Sequence, residues 1–141
     1  MAERPMLSAA IITYNEAENI GHCLGSVTDF VDEIVVLDSF STDATESICR
    51  RNPKVRFHQH PFDGHIQQKN RAIELCSSEW ILSLDADERV SPALRRSILD
   101  FLARDPEVAG AKFPRLTVHM RRDIRHGGWY PNARYRLFRK G

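Results

Sequence analysis

The chain has 141 residues, of which 42% are AVILMFWYC and 28% are charged, with seven Gly, seven Pro and a formal charge of +1. This profile fits one globular domain with room for a helix-covered sheet, and it excludes a disordered tail, a collagen-like fibre and a disulfide-stapled miniature fold. No apolar run approaches the roughly 20 residues of a membrane-spanning helix, and Met1 to Pro5 lacks the apolar core of a signal peptide, so a cytoplasmic protein is expected.

The net charge hides an asymmetry. Residues 1–111 carry 11 Lys and Arg against 18 Asp and Glu, whereas residues 112–141 carry 9 against the single Asp123. The basic end should therefore face the acidic body, a phosphate or an anionic membrane surface. Cys23, Cys49 and Cys76 are odd in number and widely spaced. They suggest buried thiols in a reducing compartment rather than a disulfide framework or a CxxC metal site.

In chain order, Leu7 to Thr13 (LSAAIIT) reads as a buried strand. Ile20, Cys23, Leu24 and Val27 then recur at helical spacing, with Asn15 and Glu18 placed like a capping box ahead of them. Glu33 to Asp38 (EIVVLD) is a second buried strand, and Ser39, Ser41 and Thr42 are placed to cap a short helix after Asp43. Val55 to His58 continues the strand series, a helix covers about Ile66 to Cys76, and Trp80 to Asp85 (WILSLD) is a fourth strand. Ser91 followed by Pro92 is an N-cap with Pro at the first helical position, leading into a stripe of Leu94, Ile98, Leu99 and Leu102. After Pro106, Ala111 to Pro114, Leu116 to Val118 and Arg134 to Phe138 read as short alternating strands around a turn-rich segment, His126 to Asn132.

Alternating strands and helices imply right-handed crossovers and an α/β fold, an open, mostly parallel Rossmann-like sheet with helices on both faces. Such sheets bind ligands at the carboxyl ends of their strands. Thr13 to Glu16, Asp38 to Asp43 and Asp85 to Glu88 each follow a predicted strand, so three polar clusters should share one rim.

The chemistry of these clusters is complementary. LSLDADE (Leu82 to Glu88) ends a hydrophobic strand in Asp85, Asp87 and Glu88, and carboxylates at i and i+2 can reach one hard cation such as Mg²⁺ or Mn²⁺, completed by water or phosphate. The bland reading is that acids simply open a loop or a helix. Asp38 directly follows an apolar run and must find a donor or lie at an open rim. Tyr14 offers an aromatic plane suited to a base, although an ordinary turn explains it equally well.

The series IITYNEAENI, EIVVLDSFSTDAT, QQKNRAI and WILSLDADE resembles the nucleotide-sugar-binding half of family 2 glycosyltransferases of the GT-A fold, in particular the small bacterial subgroup that includes lipopolysaccharide core glucosyltransferases. The likeness runs from about Leu7 to Phe138 and takes in RHGGWYP and RLFRK. It implies a donor-binding core over residues 1–109 and the start of an acceptor-side region over 110–141, within one domain. Thr13, Tyr14 and Glu16 would wall the nucleoside pocket, Asp38 would read the base, usually uracil, and Lys69 would face the donor. Asp85 would lie near the ribose or the metal's outer ligands, and Asp87 would ligate Mg²⁺ or Mn²⁺ on the diphosphate. His126, Trp129 and Tyr130 would lie on the acceptor side; the plainer reading makes the two aromatic rings packing residues.

The implied reaction is metal-dependent, inverting transfer from a nucleotide diphosphate sugar, such as a UDP-hexose, to a saccharide or lipid-linked glycan, with no nucleic-acid partner. It implies work in the cytoplasm, peripheral to the inner face of the membrane, in lipopolysaccharide or other cell-envelope biosynthesis. Inversion needs a carboxylate base downstream of DAD. Asp123 does not resemble that motif, so the base is expected beyond Gly141 and the chain is expected to be truncated, with an apolar edge open to pairing in a homodimer.

Two alternatives stand beside this reading. A non-catalytic nucleotide-sugar-binding module would keep the pocket without the base. A DxD phosphatase would use Asp85 as nucleophile, but that fold opens with its DxD strand, whereas three predicted strands precede DAD here.

Overall fold

The computed structural model describes residues 6–104, 110–112, 118–120 and 135–140. The elements are β1 (Leu7–Thr13), α1 (Ile20–Val27), β2 (Glu33–Asp38), α2 (Thr45–Arg50), β3 (Val55–Gln59), α3 (His65–Leu75), β4 (Trp80–Asp85), β5 (Glu88–Val90), α4 (Pro92–Ala103), β6 (Gly110–Lys112), β7 (Val118–Met120) and β8 (Tyr135–Arg139). Among the described residues, the main sheet has six strands in the order β3-β2-β1-β4-β8-β6. Strands β1 to β4 run parallel, β8 adds to the β4 edge antiparallel, and β6 pairs antiparallel with β8. The expected α/β, mostly parallel GT-A-type sheet is what the chain forms. A separate antiparallel pair joins β5 to β7.

Apolar runs make these strands because both faces are covered. On one face, Leu7, Ala9 and Ile11 of β1, Ile34 and Val36 of β2, and Trp80, Leu82 and Leu84 of β4 pack on the stripes of α1 and α4. On the other, Ala10, Val35, Leu37 and Ile81 meet Ala72 and Cys76 of α3 and the loop after it. The α1 stripe of Ile20, Cys23, Leu24 and Val27 is buried as its spacing predicts. So are Leu94, Ile98 and Leu102 of α4, where Ser91 Oγ accepts from the Leu94 N–H at 3.1 Å and caps the helix. All three thiols are buried; burial chiefly pushes Cys49 up to about 12 and Cys76 to about 11.

Several local expectations are corrected. Asn15 and Glu18 form no capping box: α1 begins at Ile20 after Asn19, without a side-chain cap. Asn15 instead adopts φ 50° and ties two loops together. Ser39, Ser41 and Thr42 do not cap α2; Asp43 does comparable work, its Oδ1 accepting from the Thr45 N–H at 2.9 Å. Strand β5 was not expected, three residues being too short to show alternation. Among the late strands, β7 starts at Val118, where the predicted strand ends.

The described part of the basic end meets the acidic body. Arg136 pairs with Glu88, Arg139 with Glu79, and Lys140 donates to the carbonyls of Glu74 and Cys76. Among the described residues, no helix is long and apolar enough to cross a membrane.

Candidate functional site

The order β3-β2-β1-β4 turns the chain back at β1: β2 and β3 lie to one side and β4 to the other. The loops leaving neighbouring β1 and β4 therefore diverge and open a crevice at their carboxyl ends. A cleft of about 410 Å³ lies there, lined by Ile12, Thr13, Tyr14, Glu16, Ser39, Phe62, His65, Lys69, Asp85, Ala86 and Asp87. Six predicted site residues, Thr13, Tyr14, Glu16, Lys69, Asp85 and Asp87, thus converge from β1, α3 and β4. His126, Trp129 and Tyr130 lie outside the described residues, as does Asp123.

Asp38 is the exception. It has no exposed surface, and its carboxylate is engaged from within the protein. Thr13 Oγ1 donates to Oδ1 at 2.6 Å, Ser41 Oγ to Oδ1 at 2.5 Å, the Ser41 N–H to Oδ2 at 2.8 Å and Gln59 Nε2 to Oδ2 at 3.2 Å. A buried acid after an apolar run is thereby satisfied without a ligand. Its neighbour Ser39 lines the cleft instead.

These bonds make the β1 and β2 loops one unit. Ser41 Oγ accepts from the Asn15 N–H at 2.7 Å, and Asn15 Oδ1 accepts from the Thr42 N–H at 2.8 Å. Buried Thr45 relays a second link: its Oγ1 accepts from the Glu16 N–H at 2.8 Å and donates to Asp43 Oδ1 at 2.5 Å. That hydroxyl, with the backbone bonds of Thr45 and Ala17, holds the Asp43 carboxyl below its ordinary range. Tyr14, 58% exposed, is thus carried on a braced turn.

The acidic turn after β4 divides its carboxylates. Asp85 pairs with Lys69 Nζ at 3.1 Å, and both side chains are about a third exposed. Asp87 lines the cleft, whereas Glu88 is buried and structural. Its Oε1 accepts from the Asp85 N–H at 2.7 Å, and Arg136 grips both its oxygens. Burial alone would lower the pKa of the Arg136 guanidinium, but the hydrogen bonds and charge of Glu88 raise it. Beneath this turn, Cys23 Sγ lies 3.7 Å from the Asp85 carbonyl oxygen, and burial, then the charges of Glu88, Asp85 and Asp87, push its thiol well up. Among the described residues, no three His, Cys, Asp or Glu side chains form a closed metal cage. Two cleft carboxylates as hard oxygen donors suit a cation whose other ligands come from a bound phosphate.

The Glycosyl transferase family 2 model matches residues 8–140 of this chain. The chain belongs to that family. This family 2 glycosyltransferase is 38% identical over 113 residues to the lipopolysaccharide core biosynthesis glycosyltransferase LpsC of Rhizobium meliloti (strain 1021), covering 77% of this chain and 42% of LpsC. Among solved structures, it resembles the mannosyltransferase PcManGT of Pyrobaculum calidifontis in complex with GDP-Man and Mn²⁺, with a TM-score of 0.64 and 27% identity over 80% of this chain and 37% of that one. It also resembles S. aureus TarS 1-349 in complex with UDP-GlcNAc, with a TM-score of 0.61 and 26% identity over 70% of this chain and 31% of that one. The family 2 chain therefore spans less than half the length of these relatives.

The signals that sequence reasoning missed are polar residues without periodicity. Ser39 and His65 in the cleft lie next to residues chosen for their charge or helical spacing, and buried Gln68 stands beside Lys69 in the same QQKN run.

Proposed function

We propose that this chain binds a nucleotide diphosphate sugar in the β1/β4 cleft, as the donor site of a metal-dependent, inverting glycosyltransferase. The observation that carries the reading is the convergence of Thr13, Tyr14, Glu16, Ser39, Lys69, Asp85 and Asp87, from distant parts of the chain, around one switch-point cleft. The Tyr14 ring stacks on the base, and Ser39, rather than buried Asp38, meets it with a polar group. Lys69 shares its charge between Asp85 and the donor's phosphates, and Asp85 lies toward the ribose.

Asp87, with Asp85 behind it, would hold Mg²⁺ or Mn²⁺ against the diphosphate. When bound, such an ion neutralises the charge that builds as the nucleoside diphosphate departs. The Mn²⁺ in the PcManGT complex and the UDP-GlcNAc in the TarS complex favour this assignment. The acceptor we propose is a glycan, free or lipid-linked at the inner face of the membrane, on the strength of the LpsC likeness. Deprotonation of the acceptor hydroxyl is assigned to no residue of this chain.

Calorimetric titration with UDP, GDP, ADP and CDP, each with and without Mn²⁺, tests base choice and metal dependence together. UDP should bind most tightly and only weakly without Mn²⁺. Absence of binding by any of the four would remove the proposal.

A further inference from the structure

Gln68 is 0% exposed, although an amide with two donors and an acceptor is costly to bury unless each is met. Here each is met. Nε2 donates to the His60 carbonyl oxygen and to Ser39 Oγ, both at 3.1 Å, while Oε1 accepts from Arg71 Nη1 at 3.1 Å. The amide has only one workable orientation, because a carbonyl can only accept and a guanidinium can only donate.

The chain of contacts continues outward and inward. Arg71 is held by Asp63 through two bonds of 2.7 Å, and the Asp63 carboxyl drops below its ordinary range chiefly through them. Gly64, at φ 137°, makes the turn into α3; a Cβ there would come within 2.1 Å of Gln67 Oε1. At the inner end, the Ser39 N–H donates to the Thr13 carbonyl oxygen at 2.9 Å, so the Ser39 backbone is pinned as well. Ser39 Oγ, with one lone pair occupied by Gln68, has no acceptor for its proton among the described residues.

We propose that Gln68 is a positioning residue that fixes the Ser39 hydroxyl as a hydrogen-bond donor into the nucleoside end of the cleft. By occupying the oxygen from behind, the amide leaves the proton for the ligand, which suits a carbonyl-bearing base edge such as that of uracil. Asp63 and Arg71 hold the amide from outside the cleft. The inference rests on the nucleotide-binding reading above and adds a polarity to it.

Gln68→Glu reverses that polarity at nearly constant shape, because a carboxylate must take the Ser39 proton for itself while still pairing with Arg71. UDP titration in Mn²⁺ is the readout, on the wild type, Gln68→Glu, Ser39→Ala and the double variant. A net hydrogen bond of about 1.4 kcal/mol corresponds to about tenfold in Kd. Each single variant should lose about tenfold, and the double variant should lose no more than either, because both remove the same bond. Independent, multiplying losses, or an unchanged Kd in Gln68→Glu, would overturn the inference while leaving the cleft a nucleotide site. A wild type that binds no nucleotide would overturn both. If Gln68→Glu fails to fold, Arg71→Met, altered at a residue only partly buried, takes its place. It should weaken UDP about threefold, an effect that must vanish in the Ser39→Ala background; an effect that persists there counts against the proposal.

Discussion

Glu88 and Arg136, 48 residues apart in sequence, meet as a two-pronged ion pair, with Nη1 to Oε1 at 2.6 Å and Nη2 to Oε2 at 2.7 Å. The same guanidinium donates to the Ser83 carbonyl oxygen at 3.2 Å, and the same carboxylate accepts from the Asp85 N–H. The acidic turn is thereby tied to β8, and the most conspicuous acidic motif in the sequence spends one of its three carboxylates on structure. Arg136→Met would leave Glu88 buried and unpaired, which costs roughly 3 kcal/mol. Urea unfolding should show that loss, and an unchanged midpoint would mean that the pair does not brace the turn.

Asp87 makes the opposite case. It lines the cleft and is only partly buried, so Asp87→Ala should change stability by no more than about 0.5 kcal/mol. It should nevertheless abolish the enhancement of UDP binding by Mn²⁺ and, in the whole protein, sharply lower the rate of sugar transfer. Titration of the variant with and without Mn²⁺ decides the matter. An intact metal effect would assign the ion to other ligands.

How far the sequence could be read follows from the kind of signal each residue gives. The strands β1, β2 and β4 and the stripes of α1 and α4 were legible because burial on a periodic element writes itself into apolar spacing. Convergence of the three polar clusters followed from strand polarity alone. What sequence could not separate was a carboxylate facing the cleft from one facing inward. Asp38 ends the apolar run of β2 and Asp87 lies just past the end of β4, yet the first accepts four bonds from Thr13, Ser41 and Gln59 and the second lines the cleft. That distinction depends on loop geometry, here on Asn15 at φ 50° and Phe40 at φ 61°, which no spacing rule predicts.

Asp38 therefore yields a prediction unlike that for Asp87. Asp38→Ala strands the hydroxyl of Thr13 and both donors of Ser41, and unpaired buried donors cost on the order of 1 to 3 kcal/mol. The expected result is a lower unfolding free energy together with faster amide exchange at Ser39 and Ser41, even without nucleotide. A variant of native stability that lost only UDP binding would restore Asp38 to direct contact with the base.

Glu33, at the opposite end of β2, should govern acid stability. It is buried, and its carboxylate gathers Ser8 Oγ at 2.7 Å, the Ser77 N–H at 2.5 Å, Ser77 Oγ at 3.0 Å and Arg56 Nη1 at 3.1 Å, joining β1, β2, β3 and the loop before β4. Burial alone would raise its pKa, but the hydrogen bonds, led by the Ser77 backbone, outweigh it and hold the carboxyl below the ordinary 4.5. A group whose pKa is depressed on folding stabilises the protein fully above its unfolded pKa and loses that contribution as pH falls through the folded value. The wild type should thus lose stability below about pH 4.5, and Glu33→Gln, already weaker at pH 7, should fall less steeply over the same interval. Urea unfolding at a series of pH values from neutral downward measures both curves; if they run parallel throughout, Glu33 is not the group whose protonation weakens the fold.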